Sequence, residues 1–385
     1  MTFAKNTFLK WSSYFPSTGV FLLLVTVVSL VLSNTTFSDA YIQYWNVRRF
    51  AFSGHDFNYL LLINDFLMAI FFLNVGLEIK RELVIGELSS FKKSITPIFA
   101  AIGGMIVPAS IYYLLNLHSP LCKGWGIPMA TDIAFAVAIL ALAGKKMPAG
   151  LKLFLMSLAI IDDLGAVIVI ALFYTQQLFF SFLLYALVIF CLMLTMNLMK
   201  IKNTLFYLAL GLIAWYFILC SGVHATIAGV VTAFFIPLKE ENGIGSPLER
   251  LQNKLNIPVD YFILPLFAMA NTAMKLQFAS YGELFNMATL GVCCGLVLGK
   301  PIGIYYATKL VVTTKIGQLP EGCDYTKIAG AGMLGGIGFT MSIFILTLAF
   351  PNHELQTAIK CAVLLSSFIM GVAGFFLLRK SNSKS

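Results

Sequence analysis

Long apolar segments, separated by short polar connections, follow one another along the whole chain. Apolar runs of 18 or more residues recur from one end to the other, and about 20 such residues in a helix cross the hydrocarbon core of a bilayer. The pattern predicts an all-helical polytopic membrane protein with about twelve spans. We number them 1 to 12, at 14–33, 59–79, 95–116, 122–143, 150–174, 180–199, 204–220, 223–238, 256–273, 287–311, 327–349 and 358–379. Because no long polar stretch interrupts them, residues 1–385 are predicted to form a single membrane domain.

The basic residues are unevenly distributed between the connections. If the N-terminus is cytoplasmic, twenty Lys and Arg lie in cytoplasmic connections and termini and five on the other side, with Lys300 left inside span 10. Cytoplasmic loops of membrane proteins carry such an excess of positive charge. Since adding or removing one span would destroy the segregation, the pattern predicts an even number of spans with both termini in the cytoplasm.

Two connections are longer than the rest. The external connection 34–58 contains the turn signal Ser53-Gly54, which is typical of a short hairpin. The cytoplasmic connection 239–255 carries both acidic and basic residues, and we expect a solvated, partly helical loop there.

Composition and charge exclude several classes of protein. Hydrophobic residues make up 59% of the chain and charged residues 11%, whereas a soluble domain has roughly 25% charged residues. The net charge of +9 does not indicate nucleic acid, because the basic residues lie singly or in pairs between apolar runs. The seven Cys form no C-x-x-C pair or metal spacing, which favours free thiols. A cleaved signal peptide at 20–32 is an alternative for span 1, but Ser33-Asn34-Thr35 is a poor cleavage site.

Four charged residues, Asp132, Asp162, Asp163 and Lys300, lie well inside spans. Each costs about 2.5–3.5 kcal/mol at a helix centre on insertion scales, so a functional reason is expected. Consecutive helical residues point about 100° apart, so one of the two neighbouring aspartates should meet a fixed charge and the other a water-filled site. Lys300 is too deep to reach the interface and should pair with a carboxylate. A purely structural ion pair is the alternative, although Ser, Thr or Asn would fix helix packing at lower cost.

Spans 4 and 11 contain residues that interrupt helices. Pro128 lies four residues before Asp132, and span 11 has glycines at 330, 332, 335, 336 and 338. The preceding spans share a weak similarity between 108–113 and 301–306. Close packing through small residues would also explain the glycines. Two broken helices in corresponding positions are typical of inverted-repeat transporters, whose helix ends face a site at the midplane. In that plan Asp132 would neutralise helix N-termini and Lys300 would neutralise carbonyl ends.

These features resemble the NhaA-type Na+/H+ antiporter family of bacteria. The stretches that carry the resemblance are 71–83, 100–108, 130–136, 159–166, 221–226, 299–301 and 336–342. The run Ala159-Ile160-Ile161-Asp162-Asp163-Leu164-Gly165-Ala166 is highly specific. The similarity extends in order over nearly all of the chain.

The resemblance implies a fold, a site and an activity. Spans 3–5 would mirror spans 10–12, with spans 4 and 11 unwound and crossing. Asp163 would be a cation ligand, Asp162 would share the site and engage Lys300, and Thr131 with Asp132 would sit at the crossing. The family exchanges Na+ and Li+ for H+ electrogenically in the bacterial inner membrane, needs no cofactor or structural metal, and forms homodimers through the 34–58 hairpin.

The family's pH-sensing cluster at the cytoplasmic mouth maps onto Glu78, Arg81, Glu82 and Glu249. Here the positions after Glu249 are Gln252 and Asn253, where better-known members carry an acid and a histidine. Neither side chain titrates. The ion-binding residues are unaffected by this difference, whereas the pH threshold of activation is not set by the resemblance. His224 also matches, and it is as compatible with a structural role as with a regulatory one.

The chemistry favours exchange by competition. Na+ is a hard cation that binds carboxylate and carbonyl oxygens, and protons compete for the same carboxylate oxygens. The alternatives are a cation channel, another proton-coupled solute carrier and, more remotely, an intramembrane aspartyl protease. The protease would need a G-x-G-D signature that is absent and would leave Lys300 without a purpose. The prediction is therefore a transporter and not an enzyme.

Overall fold

The computed structural model describes residues 18–47, 50–52, 55–144, 147–175, 178–238, 245–276, 286–350 and 353–382. Fourteen helices are labelled here in chain order: α1 (Thr18–Leu32), α2 (Ser38–Asn46), α3 (Tyr59–Val84), α4 (Phe91–Leu115), α5 (Ile133–Ala143), α6 (Ala149–Phe173), α7 (Phe180–Leu198), α8 (Thr204–Ser221), α9 (Ile227–Phe235), α10 (247–271), α11 (Met287–Thr313), α12 (Tyr325–Gly335), α13 (Phe339–Ala349) and α14 (His353–Asn382). Two 3₁₀ helices, Glu87–Ser89 and Pro120–Met129, and two short strands, β1 (Phe50–Phe52) and β2 (His55–Phe57), complete the described elements.

The length and hydropathy of these helices are those of a multi-pass membrane protein. Within the described ranges, seven helices are long and apolar enough to cross a bilayer, or nine if each of two bent pairs is one span. Many large apolar side chains stay exposed, especially on α7, where Leu184, Leu187 and Val188 face outward. Such a surface suits lipid rather than water. The twelve-span count stays a prediction, since α1 is a shorter apolar helix and α9 has nine residues.

The external connection 34–58 folds into helix α2 and an antiparallel hairpin. Phe50 pairs with Phe57 and Phe52 with His55, while the turn residues Ser53-Gly54 lie outside the described residues. The sequence did not predict α2. An ion pair of 2.6 Å between Asp39 Oδ1 and Lys275 Nζ joins α2 to the residues that follow α10.

The helical part of the partly helical loop expected at 239–255 begins at residue 247, and one of its faces is buried. There the chain enters α10, which continues without a break into predicted span 9. Ser246 and Glu249 form a capping box at its start, and Pro247 occupies the first turn. Leu248 and Leu251 are buried, because their three-residue spacing places both on one apolar face that packs against the protein. Residues 239–244 lie outside the described ranges.

Helices α4 and α11 pack closely and run antiparallel through the centre of the molecule. Gly103 lies against the backbone of Gly303, and Gly299 lies against Pro108. A Cβ atom on Gly103 would come within 2.5 Å of the Gly303 carbonyl oxygen. Small residues therefore allow the two backbones to touch, which places Lys300 at the centre of the protein.

Three helices contain π-helical segments: Leu62–Leu67 in α3, Val259–Ile263 in α10 and Gly295–Gly299 in α11. The last two end two residues before Pro265 and Pro301. A proline lacks the N–H of a regular α-helix and clashes with the preceding turn, which explains a widened turn at these places. Such segments often accompany functional sites, and the third directly precedes Lys300.

Candidate ion-binding site

Two broken helices meet in the middle of the structure. The 3₁₀ helix Pro120–Met129 and α5 are bent by 42° at residues 130–132, and α12 and α13 are bent by 44° at residues 336–338. The two breaks touch, because the Asp132 N–H donates to the carbonyl oxygen of Ile337 at 2.7 Å. Each break exposes one helix N-terminus and one set of carbonyl ends.

One carboxylate caps the N-termini of α5 and α13, the two helices that follow the breaks. Asp132 Oδ1 accepts from the backbone N–H of Phe135 in α5 at 3.1 Å. Asp132 Oδ2 accepts from the backbone N–H of Thr340 in α13 at 3.2 Å and from the Thr340 hydroxyl. A negative charge at this point neutralises two positive helix ends at once.

The carbonyl oxygens at the C-terminal ends of the helices that precede the breaks accept hydrogen bonds from other elements. Lys300 Nζ donates to the carbonyl oxygen of Met129. Ser342 Oγ donates to the carbonyl oxygen of Ile127 at 2.7 Å. Thr131 Oγ1 lies 2.9 Å from the carbonyl oxygen of Gly335, at the end of α12. The partial negative charges of both broken ends are thus compensated.

Asp162 forms a buried ion pair with Lys300. Its Oδ2 lies 2.6 Å from Lys300 Nζ, and both side chains are 0% exposed. The Thr131 hydroxyl lies 2.7 Å from the same oxygen, so its single proton is shared between Asp162 and the carbonyl of Gly335. The other oxygen, Oδ1, is buried without a hydrogen-bond partner in the described part of the chain. Asp162 is therefore the neighbour that meets a fixed charge.

Asp163 has a different environment although it is the next residue on α6. It is 1% exposed, and its Oδ1 is buried without a hydrogen-bond partner among the residues described. It lines a cavity of about 500 Å³ together with Thr131, Asp132 and Thr340. The arrangement places one carboxylate in an ion pair and the next at a cavity, beside helix ends whose charge is already balanced.

The same cavity reaches the predicted pH-sensing cluster. Glu78, Arg81 and Gln252 line it. Arg81 donates to Gln252 Oε1 at 3.0 Å and pairs with Glu82 Oε1 at 3.0 Å. Gln252 carries no charge, but it holds the Arg81 guanidinium across the space between α3 and α10.

Glu249 and Asn253 lie beside this cluster rather than in the cavity lining. The Glu249 carboxylate accepts from the Ser246 N–H at 2.8 Å and lies 3.0 Å from its hydroxyl. These hydrogen bonds from the Ser246 backbone and side chain hold the pKa of Glu249 below its ordinary value. Near neutral pH it is a fixed negative charge.

The structure does not bring His224 to this mouth. Its Nε2 lies 2.9 Å from the carbonyl oxygen of Tyr174. The Tyr174 hydroxyl donates to the backbone carbonyl oxygen of Lys123, in the 3₁₀ helix that follows α4. Arg81 and Glu82, in contrast, lie before α4 begins. The length of α4 separates the two sets, so His224 belongs to the opposite end of the molecule.

Sequence reasoning missed polar residues in the cavity wall. Asn74 on α3 donates to Asn256 Oδ1 on α10 at 3.1 Å, and both line the cavity with Asp260. Asp65 on α3 is a further acid inside a predicted span. The sequence carries the same signal at Asp65 and Asp260 as at Asp162, namely an acid within an apolar run.

Comparison with known proteins identifies the family. The family model described as Na+/H+ antiporter 1 matches residues 10–378. This chain belongs to that antiporter family. The Na+/H+ antiporter NhaA 2 of Flavobacterium johnsoniae is 49% identical over 368 residues, covering 94% of this chain and 90% of the relative.

Two further relatives align with similarly large parts of this chain. The Na+/H+ antiporter NhaA of Dechloromonas aromatica is 46% identical and covers 97% of this chain and 96% of its own. The Na+/H+ antiporter NhaA of Escherichia coli O1:K1 / APEC is 45% identical, over 94% of this chain and 95% of its own. Membership of the antiporter family makes the protein a transporter and not an enzyme.

Proposed function

We propose that the protein is an electrogenic antiporter that exports Na+ and Li+ in exchange for H+. One observation carries the proposal: two neighbouring buried carboxylates, Asp162 and Asp163, each keep an oxygen without a hydrogen-bond partner among the described residues. Oxygens of this kind bind a hard cation such as Na+. The names of the similar proteins also support Na+/H+ exchange.

The mechanism rests on competition at one site. Na+ binds ionised Asp163, with Asp162 sharing the site, and a proton neutralises the same oxygens, so the two occupants exclude each other. Thr131, Asp132 and Lys300 support the site by balancing the ends of the broken helices. Exchange follows if the helices move only when the site is filled by one occupant or the other. No cofactor or resident metal takes part.

The architecture proposed for this function has twelve crossings in one membrane domain, with spans 3–5 and 10–12 as inverted repeats. The bends of 42° and 44° and the antiparallel packing of α4 on α11 support it. We place the protein in the bacterial inner membrane with both termini in the cytoplasm, where it serves pH homeostasis and salt tolerance. It acts as a homodimer whose contact is the 34–58 hairpin, and it binds no nucleic acid.

The central test is Asp163→Asn in everted membrane vesicles from cells that lack other Na+/H+ antiporters. An amide takes no proton and is a poorer ligand for Na+, so we expect dye-reported proton movement on addition of Na+ or Li+ to fall to background at normal protein levels. Glu321→Gln is the control, because Glu321 is exposed and lies outside the cavity lining. Exchange near the wild-type rate in Asp163→Asn would refute the assignment.

The same vesicles distinguish an antiporter from a channel. A channel would pass Na+ without moving protons, whereas exchange requires a pH change that depends on Na+ or Li+ and is absent with K+ or Ca2+. Electrogenicity is tested by collapsing the membrane potential with valinomycin and K+. We expect the initial exchange rate to change, since unequal charges are exchanged, and an unaffected rate would show electroneutral transport.

A further inference from the structure

One wall of the cavity carries polar groups that the proposed exchange at Asp163 does not use. This wall is formed by α3, with Asn74 and Glu78, and by α10, with Asn256 and Asp260. We call these four residues the vestibule cluster. They lie on the route between the Arg81–Gln252 contact and Asp163, since all of these residues line one cavity.

The amide pair in this cluster leaves one oxygen free. Asn74 Nδ2 donates to Asn256 Oδ1 at 3.1 Å, which joins the two helices. Asn74 Oδ1 then has no hydrogen-bond partner among the described residues, although Asn74 is only 7% exposed. A buried amide oxygen without a partner costs about 1–3 kcal/mol, and a bound cation or its water would satisfy it.

The two carboxylates of the cluster flank this oxygen. Glu78 lies one helical turn beyond Asn74, and Asp260 lies about one turn beyond Asn256, on the facing helix. Because α3 and α10 run antiparallel, as the Asn74–Asn256 and Arg81–Gln252 contacts require, the two acids lie on opposite sides of the amide pair. Neither acid forms a salt bridge within the described residues.

The charge balance of the cavity favours a cation. Apart from Asp132, whose charge is balanced by two helix N-termini, its lining holds three carboxylates, on Glu78, Asp163 and Asp260, and one guanidinium, on Arg81. Arg81 is already paired with Glu82 at 3.0 Å. A cleft with one sign of charge raises the local concentration of the opposite ion.

We propose that Asn74, Glu78 and Asp260 form a second, shallower cation site that holds Na+ before it reaches Asp163. The proposal rests on the Na+/H+ exchange proposed above and deepens it. The ion keeps part of its hydration shell, because no three acidic, His or Cys side chains of the described chain converge as they would around a fully coordinated metal. Asn74 Oδ1 supplies the neutral oxygen, and the two carboxylates supply charge.

The first test separates the two sites by direct binding. Equilibrium binding of ²²Na+ to purified Asp163→Asn, in which the deep site is removed, should retain a weak saturable component. Adding Asp260→Asn should remove it, and so should adding Asn74→Leu, which takes away the amide oxygen while keeping the branched shape of the side chain. If Asp163→Asn alone binds no more ²²Na+ than the double variants, the second site does not exist.

The second test uses transport in proteoliposomes. Asp260→Asn should raise the KM for Na+ about fivefold, as expected from losing one charge interaction in a partly solvated cleft, and leave the maximal rate unchanged. The control Glu321→Gln, an exposed acid outside the cavity lining, should leave both values as in wild type. An unchanged KM in both Asp260→Asn and Asn74→Leu overturns the proposal. If the wild-type protein shows no Na+-dependent proton movement, the exchange function itself is refuted. The two failures are therefore distinguishable.

Discussion

At the scale of single residues, Asp162 and Asp163 have the same side chain and opposite surroundings. Because consecutive helical positions point about 100° apart, Asp162 faces Lys300 on α11 and Asp163 faces the cavity. Lys300 reaches Asp162 because α4 and α11 touch through glycine, which brings the middle of α11 into the core. Helix α6 thus supplies, from neighbouring positions, one carboxylate that is paired with Lys300 and one that faces the cavity.

The ion pair predicts a specific pattern of stability. Lys300→Ala leaves Asp162 as a buried, unpaired charge, and we expect a loss of about 3–5 kcal/mol of unfolding free energy. Asp162→Asn combined with Lys300→Met removes both charges and should recover much of that loss, since a buried pair is often replaceable by apolar groups. Thermal unfolding in detergent measures both. A melting temperature of Lys300→Ala equal to that of the wild type would contradict the pairing.

At the scale of elements, the two interrupted spans depend on each other. Asp132 lies at the end of one break and caps the helices that follow both, α5 through Phe135 and α13 through Thr340. The backbone bond from Asp132 to Ile337 fixes their relative position. The N-terminus of α13 and the carbonyl ends of both preceding helices meet groups from other spans, so the breaks depend on being packed together.

This dependence predicts unequal effects for two substitutions. Asp132→Ala leaves three donors without their acceptor and should cost about 2–4 kcal/mol, whereas Thr340→Val removes one hydroxyl and should cost about 1 kcal/mol. Unfolding in detergent, followed by tryptophan fluorescence, provides the comparison. Equal losses in the two variants would show that Asp132 does not cap both helices.

The contact of α4 with α11 predicts the cost of adding a methyl group. A Cβ atom on Gly303 would overlap the carbonyl of Gly103, which belongs to a packed backbone and cannot move away easily. We expect Gly303→Ala to cost about 1–3 kcal/mol, the usual range for overpacking.

Gly374→Ala is the matched control for this substitution. A Cβ on Gly374 would meet Leu334 Cδ2, 2.7 Å away at the end of a flexible side chain, so a smaller loss is expected. If the two glycine variants unfold alike in detergent, backbone contact is not what limits position 303.

At the scale of the whole molecule, the distribution of Lys and Arg predicts the orientation in the membrane. Helix α4 separates residues on its two sides, with Ser89 before it and His118 after it. In a cysteine-free background, a membrane-impermeant maleimide should label His118→Cys in intact spheroplasts. It should label Ser89→Cys only in everted vesicles. Labelling of both from one side, or the reverse pattern, would contradict the orientation.

The sequence alone determined the class of the molecule, most of its long apolar helices and the four charged residues that lie buried between them. Apolar runs and buried charges both have large effects on the free energy of membrane insertion. These effects depend on the residues of the segment itself, so they can be read from the sequence. Pro128 and the glycines of span 11 lie at or near the two bends, since proline lacks a backbone N–H and glycine loses more backbone entropy in a helix than other residues. The AIIDDLGA run, residues 159–166, and the other stretches that resemble the antiporter family indicated the family, which the match of the family model over residues 10–378 confirms.

Only the tertiary structure decided which groups share a space. It placed Asn74, Glu78 and Asp260 in one cavity with Asp163, moved His224 to the opposite end, and buried one face of the helix at 247–258. These relations join residues far apart in the chain, and they depend on how α3, α6 and α10 pack. No local pattern encodes a contact of that kind, because it is set by the packing of whole helices rather than by the residues near each position.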